Sequence, residues 1–119
     1  MKSSALLRIA GVCGFLAVAL GAFGAHGLKG TLAAHGTAAI WETASLYHLI
    51  HAVALLAIAM SARVVSRWIP ILFVAGIAVF SGTLYVLAVT GLKWLGAITP
   101  LGGLCFLIGW AWLAFGSED

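Results

Sequence analysis

Few residues in this chain have chemical capacity, and most of them crowd into one stretch. Glu42, Tyr47, His48 and His51 stand together between positions 42 and 51, with Ser81, Thr83 and Tyr85 in a second group. Two histidines three residues apart can present two imidazoles to one metal, exchange a proton near neutral pH, or contact a quinone-type ligand. They can equally be neutral side chains hydrogen-bonded to Tyr85, Ser81 or Thr83 on a neighbouring helix, which is the plainer expectation. On an α-helix, His48 and His51 lie about 60° apart, on or near a face with Trp41, Ala44, Ser45 and Ala52, while Glu42 lies about 180° from His51. Glu42 therefore does not share a site with the histidine pair on that helix. Its expected partners are Lys29, Lys93, His26 and His35, which would make an ion pair tying the first and third connections together.

No catalytic template fits. The glycines are not followed by Lys-Ser/Thr, so there is no phosphate loop. Ser81-Gly82 lacks the flanks of a nucleophile elbow, and no Asp precedes position 119 to orient a histidine. Glu42 is the one carboxylate before the C-terminal Glu118 and Asp119, so paired-carboxylate chemistry is excluded. Cys13 and Cys105 have no neighbouring pair and read as small packing residues; no metal and no cofactor is expected.

The elements that position these residues follow from composition. Of 119 residues, 64% are hydrophobic and 8% charged, against roughly a quarter charged in a soluble domain. Four runs, Ile9–Leu28, Thr43–Ala62, Trp68–Leu92 and Trp94–Ser117, contain no Asp, Glu, Lys or Arg. Each reaches the roughly 20 residues that an α-helix needs to cross a bilayer core. Lipid offers backbone groups no partner, so open-ended spans must be helices. The runs do not alternate with period two, which excludes barrel strands. Lys2 and Arg8 before an apolar run resemble a secretory signal, but Ile9–Leu28 is longer than the roughly 7–15 residues of a signal core. A net charge of +3, with basic residues scattered singly, gives no nucleic-acid surface.

The sequence thus predicts an all-α, integral membrane four-helix bundle of up-down topology. It forms a single domain over residues 1–119, with helices near 5–27, 38–61, 68–90 and 95–116 and short connections between antiparallel neighbours. Lys2, Arg8, Arg63 and Arg67 fall on one side and Lys29 and Lys93 on the other, which predicts cytoplasmic termini. Trp41 and Trp94 should then mark the outer interface, and Trp68 and Trp112 the inner one. Fifteen glycines, four of them in the first helix, are expected to let helices pack closely inside the bundle. Pro70 suits a first helical turn. Pro100 after Thr99 raises a second option: a fourth helix beginning there, capped by Thr99, with Gly91–Thr99 as a separate turn. Gly27-Leu28-Lys29 and Gly91-Leu92-Lys93 repeat a tripeptide after the first and third helices, as a duplicated two-helix unit would.

The run Gly21-Ala22-Phe23-Gly24-Ala25-His26-Gly27-Leu28 resembles the signature of the YgdD-like family of small bacterial membrane proteins. The resemblance continues through Trp41-Glu42-Thr43-Ala44 and Tyr47-His48 with His51-Ala52. It resumes at Ser81-Gly82-Thr83-Leu84-Tyr85, then at Leu95 through Gly103 and at Gly109-Trp110. It implies a four-helix protein of the bacterial inner membrane. It marks His26, Glu42, Tyr47, His48, His51, Ser81, Tyr85, Thr99 and Pro100 as the positions to test, and it implies no activity. Three functions follow from the residues: a small accessory or scaffold protein packed against a larger membrane complex or a second copy; an oligomeric transporter or channel component using Glu42; and a redox or lipid-related site at the histidines of the second helix.

Overall fold

Chain this apolar must satisfy its backbone hydrogen bonds within each segment, and it does so as four helical spans. The computed structural model describes residues 3–116; Lys2, used above for orientation, and Ser117, Glu118 and Asp119 lie outside them. The first span is α1 (Ser3–Ala25). A short helix, α2 (Lys29–His35), occupies the first connection. The second span is α3 (Ala38–Met60). The third, Trp68–Thr90, consists of α4 (Trp68–Gly76), a π-helical turn (Ile77–Ser81) and α5 (Gly82–Thr90). The fourth, Lys93–Phe115, opens with a 3-10 turn (Lys93–Ala97) and continues as α6 (Thr99–Phe115). The α-helix of the fourth span thus starts at Thr99, with Pro100 in its first turn, although Thr99 makes no capping bond to it. All four spans are long and apolar enough to cross a membrane.

The spans pack antiparallel in chain order: first along second, second against third, third against fourth. The assembly is a slab of 47 × 26 × 17 Å. Two apolar clusters anchor it. One joins Leu6, Ala10, Leu55, Ala59, Ile69, Phe73, Ile77 and Phe106; the other joins Leu32, Trp41 and Ala88 towards the opposite end. The polar residues of the second and third spans lie between them.

Glycine enforces the shape at a few places. Gly36 ends α2 and Gly91 ends α5 with φ of 67° and 73°, a left-handed conformation that side chains with a Cβ resist. Both lie in the connections on the same side of the slab, and His35 packs over Gly91. Gly27 has no positive φ, so the repeated tripeptides are not conformational equivalents. Gly76, Gly102 and Gly109 sit where the third and fourth spans touch: a Cβ on Gly102 would stand 2.3 Å from the Phe80 amide nitrogen. In the first span the expectation of internal packing holds only at Gly24, against Trp41. Gly11, Gly14 and Gly21 face open space, because α1 borders the rest of the chain along one side only.

Candidate functional site

The site begins with α3, whose buried face carries Trp41, Ala44, His48, His51, Ala52 and Leu55. A polar group removed from water inside a membrane requires a partner, because lipid supplies none. The side chains here meet that requirement across the spans rather than within them.

His51 is 3% exposed, and its hydrogen bonds fix its chemical form. The Trp110 indole N–H of the fourth span donates to His51 Nε2 at 2.9 Å. An indole can only donate, so Nε2 must carry a free lone pair. The opposite nitrogen, Nδ1, lies 2.7 Å from the Tyr47 carbonyl, which can only accept. His51 is therefore a neutral imidazole protonated on Nδ1. Its ring stacks on Phe106 at 3.6 Å between centroids and meets Phe73 edge-on at 5.2 Å. His48, also 3% exposed, points the other way. Its Nδ1 is 2.9 Å from the Tyr85 hydroxyl, and its ring approaches the Cys13 backbone of the first span. The shared face read from helical spacing thus splits, His48 serving the first and third spans and His51 the fourth.

Further bonds stitch the remaining pairs. Ser81, the last residue of the π-helical turn, donates to the Ala44 carbonyl at 2.8 Å. Thr37 donates to the Ala88 carbonyl at 2.6 Å, and the Trp41 indole to the Leu20 carbonyl at 3.0 Å. Thr83 Oγ1 lies 2.6 Å from the Val79 carbonyl and 2.7 Å from Thr99 Oγ1. Two arrangements use each proton once: Thr83 donates to Val79 and accepts from Thr99, or Thr83 donates to Thr99 while Thr99 donates to the Leu95 carbonyl at 3.1 Å. A π-helical turn disturbs the regular backbone ladder, and in the first arrangement Thr83 supplies the partner that the Val79 carbonyl needs.

The remaining candidate positions separate. Tyr47, His51 and Pro100 converge on a groove of about 460 Å³ between the second and fourth spans, floored by Phe80, Phe106 and Trp110. His26 is exposed in the turn after α1. Glu42 is exposed near the start of α3, beside a separate cavity against α1. None of its expected partners, Lys29, Lys93, His26 and His35, lines that cavity. Trp41 also departs from expectation. It is 5% exposed, packed on Gly24, whereas Trp94 and Trp68 stand out at 62% and 46%. Among the described residues no group of three or more His, Cys, Asp or Glu could hold a metal ion.

The same stretch, from the last turns of α1 to the start of α6, is what known proteins share. The family model "Protein of unknown function (DUF423)" matches residues 20–103. The chain belongs to this family. Among its DUF423 relatives, the UPF0382 membrane protein YwdK of Bacillus subtilis is 47% identical over 80% of both chains. The UPF0382 membrane protein SSP2132 of Staphylococcus saprophyticus is 44% identical, over 86% of this chain and 87% of its own. A UPF0382 membrane protein of Haemophilus influenzae is 42% identical, over 98% and 95%. No solved structure matches the chain. The family places the protein in a lipid bilayer as a small multi-pass bacterial membrane protein.

Within this DUF423 protein, several site residues escaped sequence reasoning. Trp110 is 59 positions from His51, and nothing in local spacing pairs them. Thr37 looks like a connection residue yet is 6% exposed. The Ser81-Gly82-Thr83 cluster was the one available signal for the π-helical turn: two hydroxyls and a glycine in mid-membrane mark irregular backbone.

Proposed function

We propose that this protein is a non-catalytic accessory subunit of the bacterial inner membrane, packing against a larger membrane protein or a second copy of itself. The observation that carries this reading is the saturation of His51. Both of its nitrogens are committed to protein partners, and the ring is stacked on Phe106. A proton relay or metal site would need a free nitrogen there. The polar interior is thereby assigned to holding helices together, and interaction to the outside.

The outside offers a fitting surface. A groove of about 400 Å³ runs between the first and second spans, with Gly11 and Gly14 along it and Phe15, Leu49 and Leu56 at its sides. In lipid, helices associate by close backbone approach at small residues. The test is affinity purification in mild detergent, followed by Gly11→Leu, which fills the groove where a Cβ meets nothing. A partner or dimer that survives in the wild type and is lost in Gly11→Leu supports the reading. Consistent failure to recover either from native membranes sinks it. Cytoplasmic termini are part of the proposal, supported by Arg8, Arg63 and Arg67 on one side against Lys29 and Lys93. Labelling of Ser61→Cys and Thr31→Cys from outside intact cells should modify only the latter.

A second reading is favoured by the groove where Tyr47, His51 and Pro100 converge. Its aromatic, apolar lining suits an acyl or isoprenoid chain. Selective retention of one lipid class by the purified protein would favour this role, and bulk membrane composition in the retained lipid would remove it.

A further inference from the structure

The connection between the second and third spans, residues 61–67, carries two arginines that the interior network does not use. It borders a cavity of about 170 Å³ that reaches the start of α1 and the last residues of α3. Four polar side chains line this cavity: Ser3 from the first turn of α1, and Ser61, Arg63 and Arg67 from the connection. The rest of its lining is apolar, with Leu6, Ile58 and Pro70 supplied by three different spans. We propose that this cavity binds a phosphate group.

Two positive charges and no negative one line it. Among the described residues the one carboxylate is Glu42, about 27 Å along α3 from Met60. Arg67 is held in place by its neighbour: its Cζ lies 5.3 Å from the centroid of the Trp68 ring. Such a cation–π contact draws on the charge and consumes no N–H. Ser61 Oγ accepts the Arg63 backbone N–H at 3.1 Å, which leaves the hydroxyl proton to be given elsewhere. The cavity on the other side of the connection, about 290 Å³ against α6, shares Arg63 but has no second arginine. Its Ser66 hydroxyl oxygen already accepts the Trp68 backbone N–H. The paired arginines single out the smaller cavity.

The donor pattern selects the ligand class. Arginine offers five N–H donors and no acceptor, and each serine adds one O–H. The ligand must therefore be an anion that accepts several bonds at once. A guanidinium fork matches phosphate oxygens bidentately. One such fork already fills a carboxylate, whereas two forks and two hydroxyls suit a tetrahedral phosphate. Trp68, the first residue of the third span, is 46% exposed, as a tryptophan at the membrane interface is. The cavity thus lies at headgroup level, where basic pockets between spans take lipid phosphates. The phosphate has two natural sources, a phospholipid headgroup or a soluble phosphate compound. The inference is independent of the accessory role.

The experiment uses the full chain, stripped of lipid in dodecylmaltoside, with thermal unfolding followed at constant ionic strength. One arm adds phosphatidylglycerol, with diacylglycerol, the same lipid body without phosphate, as its control. The other adds inorganic phosphate, with acetate as its control. A saturable rise in Tm is expected with a phosphate-bearing probe and not with its control. Arg63→Gln and Arg67→Gln should each weaken the response by about tenfold or more. Arg8→Gln removes a charge from the same end of the bundle but outside the cavity, and should leave the response as in the wild type. If phosphatidylglycerol alone acts, the ligand is a lipid headgroup; if inorganic phosphate alone acts, it is a soluble phosphate compound. If both act, phosphate should compete with the lipid for the one site. The proposal is overturned if neither stabilises the protein, or if diacylglycerol and acetate do as well. It is equally overturned if Arg63→Gln and Arg67→Gln respond like the wild type, or if Arg8→Gln weakens the response as much as they do, because diffuse charge would then account for the binding.

Discussion

Two adjacent glycines should respond to the same methyl group in opposite ways. At Gly102 an added Cβ would stand 2.3 Å from the Phe80 amide nitrogen and 2.8 Å from its Cα. At Gly103 the nearest atom would be Phe80 Cδ1 at 3.6 Å, an ordinary contact. The obstacle at Gly102 is backbone inside the π-helical turn, so no side-chain rotation relieves it. Restoring an ordinary separation requires the third and fourth spans to part locally by about 1 Å. The Thr83–Thr99 bond joins the same two spans at 2.7 Å, and such a parting stretches it beyond useful length. Overpacking costs about 1–3 kcal/mol, and an interhelical hydrogen bond in lipid contributes about 0.6 kcal/mol on average. Replacing glycine by alanine in a helix returns about 0.5–1 kcal/mol. Gly102→Ala should therefore destabilise the bundle by about 1–3 kcal/mol, while Gly103→Ala should be neutral or stabilising by up to about 1 kcal/mol. The gap of about 1 kcal/mol or more is a factor of about five or more in the unfolding equilibrium. Titration with SDS in mixed micelles, followed by far-UV circular dichroism, measures it. Equal midpoints for the two variants would refute the reasoning, because they would mean that the spans are not in backbone contact at Gly102.

The other predictions concern the hydrogen bonds between spans. Trp110→Phe removes the only donor to His51 Nε2 and should cost about 1 kcal/mol; histidine ¹⁵N spectra should show the Nδ1–H tautomer in the wild type and a changed Nε2 signal in the variant. Thr83→Val and Thr99→Val break the same contact, so a double-mutant cycle should return a coupling of about 0.5–2 kcal/mol, and additive losses would exclude the shared bond. A Cβ at Gly24 would come within 2.0 Å of Trp41 Nε1, so Gly24→Ala should expel the indole from the Leu20 carbonyl and shift tryptophan fluorescence, whereas Gly14→Ala should leave the spectrum unchanged.

The four spans were legible in the sequence because lipid imposes one rule on every residue: the backbone must satisfy itself. Charge-free runs of sufficient length record that rule directly. The antiparallel order followed from short connections such as Ser61 to Arg67. The break at Thr99-Pro100 was legible as an option, since proline tolerates a first turn and resists helix interiors. What escaped was whatever depends on a partner distant in sequence. Helical spacing put His48 and His51 on one face, yet 60° of separation suffices to send one ring to Tyr85 and the other to Trp110. The Tyr85 partner was foreseeable because few side chains in the third helix could serve. Trp110 was not, because an apolar run with tryptophans reads as an interfacial belt, and its indole N–H is invisible to hydropathy. Glu42 was harder to place, because nearness in sequence to Lys29 does not say which side chains line the cavity beside it.

The distribution of interspan bonds ranks the attachments. The second span is tied to the third by Thr37, Ser81 and His48, and to the fourth by His51. The first span is tied by the Trp41 indole to Leu20 and by the approach of Cys13 to His48. It is also the least buried, with 17% of its membrane window covered against 33% for the second and third spans. In lipid the hydrophobic effect does not hold helices together; packing and hydrogen bonds do. The first span thus has the fewest interspan hydrogen bonds although it packs extensively along the second, and it forms one wall of both the Gly11–Gly14 groove and the Glu42 cavity. A partner helix in the groove would bind across the seam between the first and second spans. It therefore stabilises a seam that rests on packing with few hydrogen bonds, and does so in proportion to its affinity for the closed arrangement. Hydrogen exchange should then find α1 the span most protected by binding.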